Sequence, residues 1–201
     1  MKEKMFGHDT KQKTYIAESI IERVLARLPI DVNCGLRVFG NAPKSAERND
    51  HDSNLNSSSS GNGFDCHATE LLVPIKNRSR LAIITAVRNI KPFGNSPIEF
   101  ALREAYEKDL ADISGRTVIV LITDGLDTCG GDPAHYLRDS SNNYRAEIVA
   151  VSFIMGDRTA ARQLDQMVLA GHGRLYDQFD LDQLFEDVGK AGKQQTNKDS
   201  K

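Results

Sequence analysis

The 201 residues are enough for one domain with a proper core, and 26 Lys plus Arg against 28 Asp plus Glu leave a net charge of −2. That balance sets up no one-sign field for nucleic acid or a membrane surface, and no apolar run is long enough to span a bilayer. The N-terminus, MKEKMFGHDTKQK, has no apolar h-region and so no export signal as written.

Three cysteines, Cys34, Cys66 and Cys129, are too few and too scattered for a zinc knuckle or a disulfide scaffold, which leaves one pair plus a free thiol open.

In chain order, TKQKTYIAESIIERVLARL (10–28) sets Ile16, Ile20, Ile21, Val24 and Leu28 on one stripe at three-to-four spacing, which predicts an amphipathic helix. After Pro29, NCGLRVFG reads as a short strand ending at Gly40, and ELLVPI (70–75) as another, kept to an edge by Pro74. Between them, roughly 41–65, NDHDSNLNSSSSGNG lacks the apolar residues that would offset the entropy of ordering it, and reads as a disordered insertion.

SRLAIITAVRNI predicts a second helix. SPIEFALREAYEKDL predicts a third, with Ser96 as cap, Pro97 at the first helical position and Glu99 closing a capping box. TVIVLITD and AEIVAVSFIM are continuous apolar runs, the pattern of parallel strands buried on both faces. Asp132-Pro133 opens a helix, TAARQLDQMVLAG closes another at Gly171, GRLYDQF is a strand, and LDQLFEDVGKAG is a last helix capped by Asp180 with Gln183. The expected domain spans 1–191, with a polar tail at 192–201.

Alternation of strand and helix predicts an α/β fold, three-layered and Rossmann-like, with a doubly wound, mostly parallel sheet. Ligands on such sheets bind beyond the carboxyl ends of the strands, where VLITDGLDTCGGDP places Asp124. Neither G-x-G-x-x-G nor G-x-x-x-x-G-K-[ST] is present, and GNSPI breaks the G-x-S-x-G elbow, so nucleotide-dependent and serine-hydrolase chemistry are disfavoured. His8, His51, His67, His135 and His172 fall in polar loops or at a helix start and read as surface residues. Asp124 pairs naturally with the Ser96 hydroxyl, two hard oxygen donors that suit magnesium, manganese or calcium but do not by themselves make a strong site. A metal-assisted hydrolase built on Asp124, Asp127 and Asp132 lacks a second acid-base group, and Asp132 has a simpler task as a helix cap.

In order, GLRVFG, TELLVPI, GNSPIEFAL and VLITDGLDTCGGDP resemble the von Willebrand factor type A domain, in its bacterial form, over about 10–190. The resemblance implies a protein-binding, non-enzymatic module with a metal-ion-dependent adhesion site at the top of the sheet. In that family the site comes from D-x-S-x-S after the first strand, a threonine before the third helix and an acid after the fourth strand. Ser96 matches the threonine and Asp124 the acid, whereas D-x-S-x-S has no counterpart here. The resemblance therefore implies a domain lacking its first central strand, with an incomplete site and weak or absent binding of magnesium or another divalent cation. A start assigned too far downstream, a truncated gene without function, or a strand supplied by a partner would each account for this; the first would also allow an extracytoplasmic location. Cys66, ahead of ATELLVP, and Cys129, after Asp124, then fall at the upper part of the sheet as a candidate disulfide, with Cys34 a buried small residue.

Overall fold

The structure, a computed structural model, describes residues 10–40, 65–92, 94–123, 125–140, 146–152, 158–177 and 180–196. Asp124, His8, His51 and the insertion expected at 41–65, up to residue 64, lie outside the described residues.

Helix α1 (Thr10–Arg27) leads to β1 (Cys34–Phe39) and β2 (Thr69–Lys76), followed by α2 (Arg80–Val87) and α3 (Ile98–Glu104), which continues into a π-helical turn, Ala105–Asp109. Then come β3 (Thr117–Thr123), α4 (Pro133–Ser140), β4 (Ala146–Ser152), α5 (Arg158–Ala170), β5 (Arg174–Asp177) and α6 (Leu181–Thr196). The last helix runs past the expected Gly192 boundary into the segment read as tail, and Gln183 donates forward to Asp187 (3.0 Å) rather than back to its own cap.

β3, β4 and β5 form a parallel sheet in that order, with Thr117 opposite Ala146 and Val149 opposite Arg174. β4 shows why the architecture has three layers. Its side chains alternate, Ile148 and Ala150 entering one core with α3, α4 and α5, Val149 and Val151 the other with α1 and α6. Gly173, at the start of β5, is required by a close approach: a Cβ there would lie 1.8 Å from the Ile148 carbonyl oxygen.

β1 and β2 form a separate antiparallel pair, with Phe39 opposite Thr69 and a register shift between Leu36 and Arg37. Pro74 is exposed on β2, which is an edge, because proline cannot donate to a further strand.

α1 joins the two sheets. Ile20 and Val24 pack with Leu184 and Phe185, while Leu25 packs with Val73, Ile83 and Val87 beside β2 and α2. Each such side chain withdrawn from water contributes roughly 1.5–3 kcal/mol. α3 does the same on the opposite face, where Ile98 and Leu102 share a core with Leu121 and with Phe39 of β1.

One expectation needs correction. β3 was expected to be buried on both faces, yet Val118, Ile119, Val120 and Ile122 are only half-buried, whereas β4 meets the expectation. The physical cause is the lack of a second neighbour among the described residues, where β3 pairs with β4 and β1 with β2, and a cavity of about 740 Å³ lies between them. Cys34, expected to be buried, is half-exposed on this cleft; its thiol donates to the Val32 carbonyl (3.6 Å), and burial raises its pKa.

Candidate functional site

β3 ends at the buried Thr123, whose hydroxyl accepts the Gly125 N–H (3.3 Å) and turns the chain into the loop 125–131. That loop meets the segment 94–97 ahead of α3. The Ser96 N–H donates to Thr128 Oγ1 (2.7 Å), and the Thr128 N–H donates back to the Ser96 carbonyl (3.1 Å). A disulfide between Cys66 and Cys129, with Cα atoms 5.6 Å apart, ties the loop before β2 to the same edge. The Asn95 amide donates to Cys66 Sγ (3.4 Å). Three loops distant in sequence thus meet at the carboxyl end of β3.

Asp127 holds this arrangement together. Its Oδ1 accepts the N–H groups of Cys129 (2.8 Å) and Gly131 (3.0 Å), its Oδ2 accepts the Glu99 N–H (2.9 Å), and its own N–H donates to Gln163 Oε1 (2.8 Å). The Glu99 bond satisfies one of the orphan donors in the first turn of α3, where the helix dipole also favours a negative charge.

The capping box expected at Ser96 and Glu99 is therefore not made. α3 begins at Ile98 with Pro97 as its N-cap and no side-chain cap bond of its own. The reason is competition from a distant carboxylate: Asp127 takes the N–H, while Glu99 Oε2 accepts the Asp132 N–H (2.7 Å) and Oε1 the Arg103 guanidinium (2.7 Å).

Asp132 Oδ1 accepts the His135 N–H (2.9 Å) and caps α4. Asp127 and Asp132 thus both hold backbone N–H groups at this edge. His67, His135 and His172 are exposed.

As for a cation, Ser96 sits half-buried at this edge, and Asp124 falls between two described residues, Thr123 and Gly125, but is itself outside them. Among the described residues no group of three or more His, Cys, Asp or Glu could hold a metal ion. A magnesium ion wants near-octahedral oxygen coordination. Among the described residues, the Ser96 hydroxyl and an Asp127 carboxylate that already accepts three N–H groups do not by themselves meet that demand.

Asp127 was legible only in part. Its spacing to the following residues, D-T-C-G-G, is that of an Asx turn, a recognisable local signal. The bond to Glu99 and the clamp from Gln163 are tertiary and carry no such signal.

No family model matches the chain. YwmD of Bacillus subtilis strain 168 is 30% identical over 167 residues, covering 81% of this chain and 68% of YwmD. The chain belongs to the YwmD family. A second relative from the same organism, YwmC, is 26% identical over 182 residues, covering 88% of the chain and 74% of YwmC.

Among solved structures, proximal thread matrix protein 1 of the mussel byssus superposes with a TM-score of 0.61 at 14% identity, covering 92% of this chain and 43% of the mussel protein. The mussel protein is also described with zinc occupying its metal-ion-dependent adhesion motif. A von Willebrand factor type A protein from Catenulispora acidiphila gives 0.59 at 14% identity, covering 89% of this chain and 38% of that one. An aerotolerance-related membrane protein from Bacteroides fragilis gives 0.57 at 17% identity, covering 92% and 88%. The fold of this YwmD relative is that of a von Willebrand factor type A domain, and the chain spans less than half the length of the first two structural neighbours.

Proposed function

We propose that this YwmD relative is a protein-binding, non-enzymatic module that recognises a protein partner at the carboxyl end of β3, with an adhesion site for a divalent cation that is incomplete within these residues. The observation that carries the reading is the clamp at that edge. The paired Ser96–Thr128 bonds, the Asp127 contacts and the Cys66–Cys129 bridge hold three loops in one arrangement before any partner arrives. Preorganised loops lose less entropy on association.

Ser96 and Asp124 supply a hydroxyl and a carboxylate toward a magnesium-like ion, too few donors for tight binding. The disulfide supports an extracytoplasmic setting, since such bonds persist in oxidising compartments.

Calorimetric titration of the chain with magnesium chloride tests the cation half of the reading: no binding tighter than ~1 mM is expected, and tighter binding would overturn it. The partner half is tested by comparative capture. A partner held by the chain should be lost with Leu126→Asp in the β3 loop and kept with Leu169→Asp, on the exposed face of α5 near the opposite ends of the strands. Equal loss with both variants would sink it.

The split sheet favours one second reading, a fragment without activity of its own. Thermal melting discriminates: a sharp, cooperative transition supports the binding module, and its absence supports the fragment.

A further inference from the structure

The apolar side chains exposed to water are not spread evenly over this molecule. Among the described residues the exposed large hydrophobics are Tyr15, Ile30, Leu81, Ile113 and Leu169. Four of these five sit at one end, at the turns where strands of the fold begin. Ile30 precedes β1, Ile113 precedes β3 and Leu169 precedes β5, while Leu81 follows β2, whose Lys76 lies opposite Cys34 at the start of β1. β1 and β3 point the same way, because Gly40, just past β1, lies against Asn95, and the loop after β3 is clamped to the neighbouring Ser96. Single exposed apolar residues are ordinary, but a group confined to one end marks a contact surface.

Ile30 and Leu81 are the most exposed of the group, at 77% and 75%, and the turns that carry them are locked side by side. Arg80 Nη2 donates to the Leu28 carbonyl (2.6 Å) and to that of Pro29. The hydroxyl of the buried Ser79 lies 2.6 Å from the Cys34 carbonyl oxygen and 3.0 Å from that of Lys76. Arg80 thus spends its donors on neutral carbonyls and keeps its charge. With Arg27 at the end of α1, Lys76 and Arg78, four cations stand at these two turns against one acid, Asp31. Arg78 holds a left-handed backbone (φ 56°), which sets a cation where glycine or asparagine would sit with less strain. Asp112 lies beside Ile113 ahead of β3, so the positive region belongs to the β1–β2 corner. The net charge of −2 averages over a surface with this one locally positive corner.

We propose that this corner is a docking surface for a membrane rich in anionic phospholipid, with Ile30 and Leu81 entering the boundary between headgroups and acyl chains while Arg27, Lys76, Arg78 and Arg80 attract the headgroup phosphates. Charge complementarity selects an anionic occupant. The shape selects a fluid one. Ile30 and Leu81 project from turns and neither lines the cleft, so each can be enclosed by lipid without the shaped pockets that a protein partner would have to offer. Peripheral binding of this kind adds buried apolar area to electrostatic attraction, and it calls for no spanning helix. The corner lies at the end opposite the Ser96–Thr128 clamp, so a docked molecule holds its loop edge away from the membrane. The surface stands on exposure and charge and is independent of the binding reading.

The experiment is co-sedimentation of the 201-residue chain with vesicles of phosphatidylcholine alone, or of phosphatidylcholine mixed equally with phosphatidylglycerol, at low and at high salt. Binding to the anionic vesicles is expected to be at least about tenfold tighter than to the neutral ones and to weaken as salt rises. Lys76→Glu with Arg78→Glu should weaken it by about tenfold or more, and Ile30→Asp with Leu81→Asp should weaken it as well. Tyr15→Asp, equally exposed but more than three helical turns before the end of α1, should bind as the parent does. The four corner side chains are all exposed, and the comparison of lipids and salts needs no variant. Absence of binding to anionic vesicles, equal binding to both kinds, corner variants that bind like the parent, or equal loss with Tyr15→Asp would each overturn the surface. Capture of poly-glutamate through Lys76 and Arg78 without vesicle binding assigns the corner to an acidic protein and overturns the membrane.

Discussion

Arg37 on β1 and Asp109 at the end of the π-helical turn form a two-pronged ion pair, with Nε 2.5 Å from Oδ2 and Nη2 2.8 Å from Oδ1. Both side chains are largely withdrawn from solvent, at 14% and 7% exposure, and both border the cleft. With no strand between β1 and β3 among the described residues, this pair is one of the links that hold β1 to the rest of the fold. Asp109→Ala leaves the guanidinium buried without its partner and is expected to cost about 3–5 kcal/mol in urea unfolding. The double change Arg37→Met with Asp109→Leu should recover most of that loss, because removing both charges also removes their desolvation cost. A double variant as unstable as the single one would show that the link matters for its charge rather than its packing.

Asp127→Ala removes the acceptor for three backbone N–H groups at once. A loss of about 1–3 kcal/mol is expected, with Asp127→Asn falling between it and the parent, since an amide keeps one acceptor oxygen. Thermal denaturation of the three proteins checks the order.

The Cys66–Cys129 bridge spans 63 residues of sequence, a loop that runs from β2 to the end of β3. Chain-entropy reasoning assigns such a loop roughly 4 kcal/mol, so Cys66→Ser with Cys129→Ser should lower the urea midpoint accordingly. Mass spectrometry without reductant should find one alkylatable thiol, Cys34; three alkylated cysteines would contradict the bridge.

Tyr176 reports on alkaline stability. Burial first, and then its hydrogen bond to Asp187 (2.6 Å), push its hydroxyl up to about 12 from an ordinary value near 10. The folded chain holds this proton more tightly than the unfolded one. Its contribution is thus fully present below about pH 10 and is lost as pH rises toward about 12. Urea unfolding at stepped pH should show this decline, and Tyr176→Phe should flatten it; an unchanged slope would remove Tyr176 from the account.

How far the sequence could be read differs from element to element. α1 was legible because Ile16, Ile20, Ile21 and Val24 repeat at helical spacing, and β4 because AEIVAVS is apolar without interruption. The same rule misjudged β3, since an apolar run records what a strand is suited to bury and not whether a neighbour is there to bury it. At the site, the Asp132 cap is local and was readable, as was the order of segments that resembles the von Willebrand factor type A domain. The exchange of caps at α3 was not, because Asp127 reaches Glu99 across 28 positions in the chain.

By itself, then, the sequence determined the alternation of strands and helices, the two-faced burial of β4 and the turn chemistry after β3, all of which depend on residues within a few positions of one another. Only the tertiary structure decided that β3 is left half-buried beside the cleft, that Arg37 meets Asp109 there, and that Ser96 is bound to Thr128. These depend on which edges approach in space, a quantity that local periodicity does not encode.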